Sequence, residues 1–142
     1  MLVSQILKLK GDMVFTASPT DSVAAVAALL LSRRVGAMVV LDQDRDVAGI
    51  VSERDIVRIV AERGAEGLAE PIAACMTHDV VFADPAETVD QLLERMTDRR
   101  IRHLPVCQEG RLIGIVSIGD LVKSKIAETV AEAEGLKAFI SA

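Results

Sequence analysis

The chain has little with which to build an aromatic core: no Trp, no Tyr and only three Phe in 142 residues. Yet 51% of its residues are apolar, so the interior has to come from Val, Ile, Leu, Ala and Met. Long hydrophobic runs are also missing. None approaches the roughly 18 uncharged apolar residues of a membrane span, so no membrane partner is expected. The opening stretch MLVSQILKLKGDMVF has no basic segment ahead of its apolar residues and no small-residue cleavage site. It does not read as a secretory signal, and a cytoplasmic protein is expected. The two cysteines, Cys75 and Cys107, form no CxxC, and with only two His they make no zinc constellation. Reduced thiols follow from that setting. Excess positive charge is absent too. The 16 Lys and Arg stand against 21 Asp and Glu, a net of −5. This argues against sequence-independent nucleic-acid binding. No P-loop, no GxGxxG after a strand and no metal cluster is evident, so no enzyme is expected. His103 with Ser117 is the one pairing that hints at hydrolysis.

What the chain does have is one phrase written twice. GIVSERDIVR runs from Gly49 to Arg58, and GIVSIGDLVK from Gly114 to Lys123. Gly49 and Gly114 are 65 positions apart, whereas Pro19 and Pro85, like Val40 and Val106, are 66 apart. The one-residue slip falls between Leu41–Val47 and Cys107–Leu112, in a polar turn. A register that slips only inside a loop is what a duplication gives.

Each copy reads as about β-α-β-β-α. In the first, VFTASPTDSV is a short extended piece ending in a turn. Thr20, Asp21 and Ser22 offer N-cap oxygens to a helix with Val23, Val26, Ala27, Leu30 and Leu31 at helical spacing. AMVVL and VAGIV are apolar strands around DQDRD, and SERDIVRIVAERG is a second helix capped by Ser52. The second copy repeats the order through VVFADPAETV, DQLLERMTDRR, IRHLPV, LIGIV and a helix from Ile118 that runs far beyond its counterpart. AEGLAEPIAACMTHD between the copies reads as a short helical linker opened by Pro71. The expected class is α/β (α+β), with the first repeat over 8–64, the linker over 65–77, the second repeat over 78–125 and a helical extension over 126–142. Neither copy buries much alone, and two packed through their sheets bury more.

This order of motifs, RVGAMVV or RIRHLPV followed by GIVSxxDhhR/K, resembles the CBS domain, the cystathionine-β-synthase type. Two copies in tandem resemble a CBS pair, or Bateman module, over roughly residues 8 to 125, and the chain is similar to stand-alone bacterial CBS-pair proteins. The resemblance implies a pseudo-two-fold pair that binds an adenosine-containing molecule: AMP, ADP, ATP, NAD(H) or S-adenosylmethionine. It also implies a homodimer and a regulated partner protein.

The residues suit such a ligand. Ser52 and Asp55, like Ser117 and Asp120, sit three apart at a helix start, which points them to one side. An ionised carboxylate can accept from both hydroxyls of a ribose, and free N–H groups at a helix start suit phosphate. Ser-x-x-Asp is equally a capping-box variant, a purely local role. In the resembling family the Asp holds ribose and the Ser lies by phosphate. Only the second copy has a basic pair at its strand start: Arg102 and His103 stand where the first has Gly36 and Ala37. They can be a solvated strand end, or, as the resemblance implies, phosphate contacts. Gly119 leaves room for close backbone approach. Arg54 could reach a phosphate, but Glu53 beside it would repel one. The second copy, with Arg102, His103, Ser117, Gly119 and Asp120, is therefore the expected mononucleotide site. The first, with Thr16, Ala17, Met38, Ser52, Arg54 and Asp55, is expected to be weaker, empty or the host of half a dinucleotide. Thr16 and Val81 would supply backbone groups or apolar surface for adenine. A structural dimerising adaptor without ligand is the alternative. The apolar stripe Leu121, Val122, Ile126, Val130 and Ala133 either packs on its own module or docks on a partner.

Overall fold

The structure, a computed structural model, describes residues 1–11 and 13–141, so position 142 of the expected extension lies outside the described residues. The chain divides into two compact units. The first is Val14–Val81, and the second is Met1–Met13 together with Phe82–Ala142. The segment Met1–Met13, of which the first repeat was expected to include the part from position 8, thus folds with the second copy.

In the first unit, β1 (Thr16–Ala17) runs parallel to β2 (Ala37–Leu41), which pairs antiparallel with β3 (Val47–Ser52). Between β1 and β2 lies α2 (Val23–Arg33), and α3 (Glu53–Arg63) follows β3. The Ser22 hydroxyl caps α2 by accepting the Ala25 N–H at 3.1 Å, one of the donors a helix start leaves over. Four of the five residues of β2 are buried, as a strand covered on both faces requires. Val23, Val26, Leu30, Met38, Val40, Val51 and Ile72 share one core. Each such buried side chain contributes roughly 1.5–3 kcal/mol of transfer free energy. The linker forms two short 3-10 turns, Gly64–Ala69 and Ile72–Ala74. It is tied to the first copy, with Ile72 N–H donating to Asp21 O at 2.7 Å and Thr77 N–H to Ile50 O at 2.8 Å.

The second unit opens with α1 (Val3–Lys10). It continues with α4 (Val89–Arg99), the antiparallel pair β4 (His103–Gln108) and β5 (Arg111–Ser117), and α5 (Ile118–Ser141). Its leading strand shrinks to a single parallel bridge, Ala83 with Val106. Ala83 N–H donates to Pro105 O at 2.9 Å and Cys107 N–H to Ala83 O at 3.1 Å. The next bond toward the N-terminus would need an N–H from Pro105, which has none. The first copy has Val39 at this position, and its pairing extends from Ala17 to Thr16.

Two glycines sit at equivalent close approaches. A Cβ on Gly49 would lie 2.8 Å from both Met76 Sδ and the Thr77 carbonyl, and one on Gly114 2.6 Å from Leu7 Cδ2. The hairpins explain the slip in register. Leu41 and Val47 flank a longer turn, whereas Gln108 and Arg111 flank Glu109 and Gly110, both at positive φ, the two-residue hairpin form. The first half of α5 is tethered in its own unit by Lys125–Asp90 at 2.9 Å and by Glu128 on the N-terminal ammonium at 3.3 Å. Beyond it, Leu136, Phe139 and Ile140 are exposed, so the stripe expected on this helix is buried only at Leu121.

Candidate ligand site at the two strand–helix junctions

Each second hairpin strand passes directly into a helix. At these junctions the sequence phrase is repeated but its surroundings are not. In both, the first helical N–H is used inside the fold. Glu53 N–H donates to Gly36 O at 3.0 Å, and Ile118 N–H to Arg102 O at 2.8 Å. In both, the Asp reaches back to the Ser main chain. Ser52 N–H donates to Asp55 Oδ2, and Ser117 N–H to Asp120 Oδ2, each at 2.9 Å. This is the local capping geometry that the spacing allows.

The differences begin at the second carboxylate oxygen. Asp55 is 3% exposed and is the one buried charged residue among the described residues. Its Oδ2 also takes the Ser52 hydroxyl at 3.3 Å. Its Oδ1 takes the Thr77 hydroxyl at 3.4 Å and the Arg58 guanidinium at 3.1 Å. Both oxygens are committed, which is how a carboxylate tolerates burial. The Asp120 side chain is 27% exposed. Its Oδ2 accepts from Ser117 N–H and from Lys10 Nζ, the latter at 2.7 Å. Among the described residues Oδ1 has no hydrogen-bond partner. The Ser117 hydroxyl instead accepts the Asp120 N–H at 3.1 Å. Burial alone would raise the Asp120 pKa. The hydrogen bonds from Lys10 and the Ser117 main chain, with the Lys10 charge, outweigh it and hold the carboxyl below its ordinary value.

The remaining predicted residues fall as follows. His103 is directly opposite Ser117 in the β4–β5 register and half-buried, and Arg102 before it is exposed. The second junction therefore brings Arg102, His103, Ser117, Gly119 and Asp120 together on consecutive or paired positions. Gly119 is open, for an added Cβ would meet only Ser117 Oγ at 3.6 Å. In the first unit Ala37 takes the place opposite Ser52. Ala17 and Met38 are buried in the core, and Met38 presents no side-chain surface to a ligand. Thr16 and Arg54 are exposed, and Val81 is the half-buried last residue of this unit.

Lys10, Thr77 and Arg58 were not anticipated. Arg58 had a signal, being three positions beyond Asp55 on the same helix. Lys10 and Thr77 had none, since neither belongs to the repeated phrase. Burial pushes both thiols up, at Cys75 with help from the Asp55 charge, so neither is an activated nucleophile. Among the described residues no group of three His, Cys, Asp or Glu is placed to hold a metal ion. No helix is long and apolar enough to cross a membrane.

Two tandem units of this topology, each with a Ser-x-x-Asp junction, define a CBS-type pair. The family model for the CBS domain matches twice, over residues 10–62 and 72–126, and the chain belongs to that family. It is similar to the CBS-domain containing protein ATU1752 from Agrobacterium tumefaciens, with 44% identity, a TM-score of 0.86, and 87% of this chain and 92% of that one covered. It is also similar to CBS domain protein PAE2072 from Pyrobaculum aerophilum, solved complexed with AMP (29% identity, TM-score 0.75, 84% of this chain and 89% of that one). The CBS domain pair of protein MJ0100, solved with 5′-methylthioadenosine and S-adenosyl-L-methionine, is 25% identical at a TM-score of 0.80, covering 90% of this chain and 98% of that one.

Proposed function

We propose that this protein is a regulatory module that binds an adenosine-containing ligand at the second junction and carries no chemistry of its own. AMP, ADP or ATP is the preferred ligand class, with NAD(H) and S-adenosylmethionine as narrower alternatives. The observation that carries the reading is the half-open Asp120 carboxylate. It is ionised, positioned by a main-chain N–H and an ammonium, and retains an oxygen for a ribose hydroxyl. Arg102 and His103 lie at the adjoining strand start, His103 opposite Ser117, and would supply the donors that a 5′-phosphate needs. Two structural relatives solved with adenosine compounds support the class of ligand. In this reading the ligand prefers one of two arrangements of a homodimer, and a partner protein reads the shift.

A second reading, a dimerising adaptor without ligand, is favoured by Asp55, whose carboxylate is satisfied entirely by its own unit. Mass spectrometry of small molecules released on denaturation, followed by calorimetry with AMP, ATP, NADH and S-adenosylmethionine, separates the two. A bound adenosine compound supports the sensor. No binding by any of the four transfers the case to the adaptor.

A further inference from the structure

Lys10 reaches the second junction from the end of α1, and its geometry is that of a ligand-reading group. We propose that Lys10 is a specificity-determining residue, its ammonium and the Oδ1 of Asp120 together recognising a single ribose hydroxyl. The inference rests on the reading that Asp120 receives the ribose.

A hydroxyl has one proton to donate and lone pairs to fill. A carboxylate satisfies only the first need. Lys10 Nζ has three N–H donors, and two are accounted for: Ile115 O and Asp120 Oδ2, each at 2.7 Å. These two anchors fix an ammonium that would otherwise move freely on a four-carbon stem. Among the described residues the third N–H has no acceptor, which leaves it for an incoming one. Lys10 and Asp120 are 34% and 27% exposed in their side chains, so the pair is held by the protein on one side and open on the other. A hydroxyl placed there would donate to Oδ1 and accept from Nζ. The ammonium also offsets the carboxylate charge, so an anionic ligand would not meet a bare carboxylate. The first junction lacks the arrangement. Thr77 and Arg58 stand at Asp55 instead, and that carboxylate side chain is 4% exposed. The counterpart of Arg58 in the second copy is Lys123. Among the described residues the ion pair of Asp120 is with Lys10, from α1.

The reading is tested by calorimetry with AMP, 2′-deoxy-AMP and 3′-deoxy-AMP on the full chain and on Lys10→Met and Lys10→Arg, with a thermal melt of each. The wild type is expected to prefer AMP over at least one deoxy analogue by roughly ten- to a hundredfold. Lys10→Met should lose most of that ratio, weakening AMP clearly more than that deoxy analogue, since the lost charge offset is common to both and the lost hydrogen bond is not. Lys10→Arg should restore part of it. Equal weakening of AMP and both analogues in Lys10→Met would make Lys10 a structural support and overturn the inference, as would an unchanged ratio. If the Met variant melts too early to titrate, the ¹⁵N resonance of the wild-type Lys10 ammonium decides. A shift with AMP that is absent with the discriminated analogue supports the inference, and the same shift with both contradicts it. A wild type that binds no AMP fails at the earlier step and removes the mononucleotide reading along with this one.

Discussion

Asp55 and Asp120 occupy the same place in one repeated phrase and end in opposite situations. Asp55 is closed on both oxygens, and Asp120 is closed on one. Part of the difference lies at the end of the phrase, where Arg58 pairs with Asp55 while Asp120 pairs with Lys10 and not with Lys123, the counterpart of Arg58. The rest comes from outside it: the Thr77 hydroxyl in one unit, the Lys10 ammonium in the other. A duplicated motif conserves the local cap, which is set by backbone geometry, and leaves the outward oxygen to be spent on stability or on a ligand.

The comparison is sharpened most by removing the closed carboxylate. Asp55→Ala strips a cap and leaves Ser52 N–H and the Thr77 hydroxyl without their acceptor. A loss of roughly 2–4 kcal/mol is expected in urea unfolding. Asp120→Ala should cost about 1 kcal/mol, because its partners can turn to water. Equal losses would contradict the distinction between the two.

The paired glycines come next. In Gly49→Ala the new methyl meets a backbone carbonyl, which cannot step aside, while in Gly114→Ala it meets the far end of Leu7. The first is expected to cost roughly 2–3 kcal/mol and the second about 1 kcal/mol in thermal or urea unfolding. A reversed order would mean that the second unit is the more tightly packed at this position.

The third effect depends on pH. The Asp120 carboxyl in the folded protein titrates below its ordinary value. The cause is the Lys10 and Ser117 bonds, acting against burial. Its ionised form therefore stabilises the fold above the usual carboxylate range, and the contribution is lost as pH falls through the folded pKa. Lys10→Met should be less stable than the wild type at neutral pH, and the gap should narrow on acidification. A gap that is constant with pH would mean that the ion pair contributes nothing to the difference. The smallest effect is at Gly119, where a methyl meets nothing closer than 3.6 Å. Gly119→Ala should stay within about 0.5 kcal/mol of the wild type in unfolding.

Much of this was legible before any coordinates. The helices over 23–33 and 89–99 and the strand pairs follow apolar periodicity and turn residues, which are local signals. The gap at Pro105 is legible too, since proline has no N–H to give. The units were harder to read. The segment Met1–Met13 precedes and, from position 8, overlaps the expected first copy yet folds with the second, and no periodicity announces that. For the same reason the repeat displayed Ser117 and Asp120 but hid Lys10, which is 110 positions from the carboxylate it holds. Met38 illustrates the converse. Its place in the motif suggests a ligand contact, whereas its side chain is 1% exposed in the core.

The most direct test of the account is a calorimetric titration of AMP into the wild type, Asp55→Asn and Asp120→Asn. One molecule per chain is expected, retained within about threefold in Asp55→Asn and weakened by roughly a hundredfold or more in Asp120→Asn, in line with the loss of charge-assisted hydrogen bonds. Binding that survives Asp120→Asn and disappears in Asp55→Asn would contradict the assignment of the open carboxylate as the ligand site.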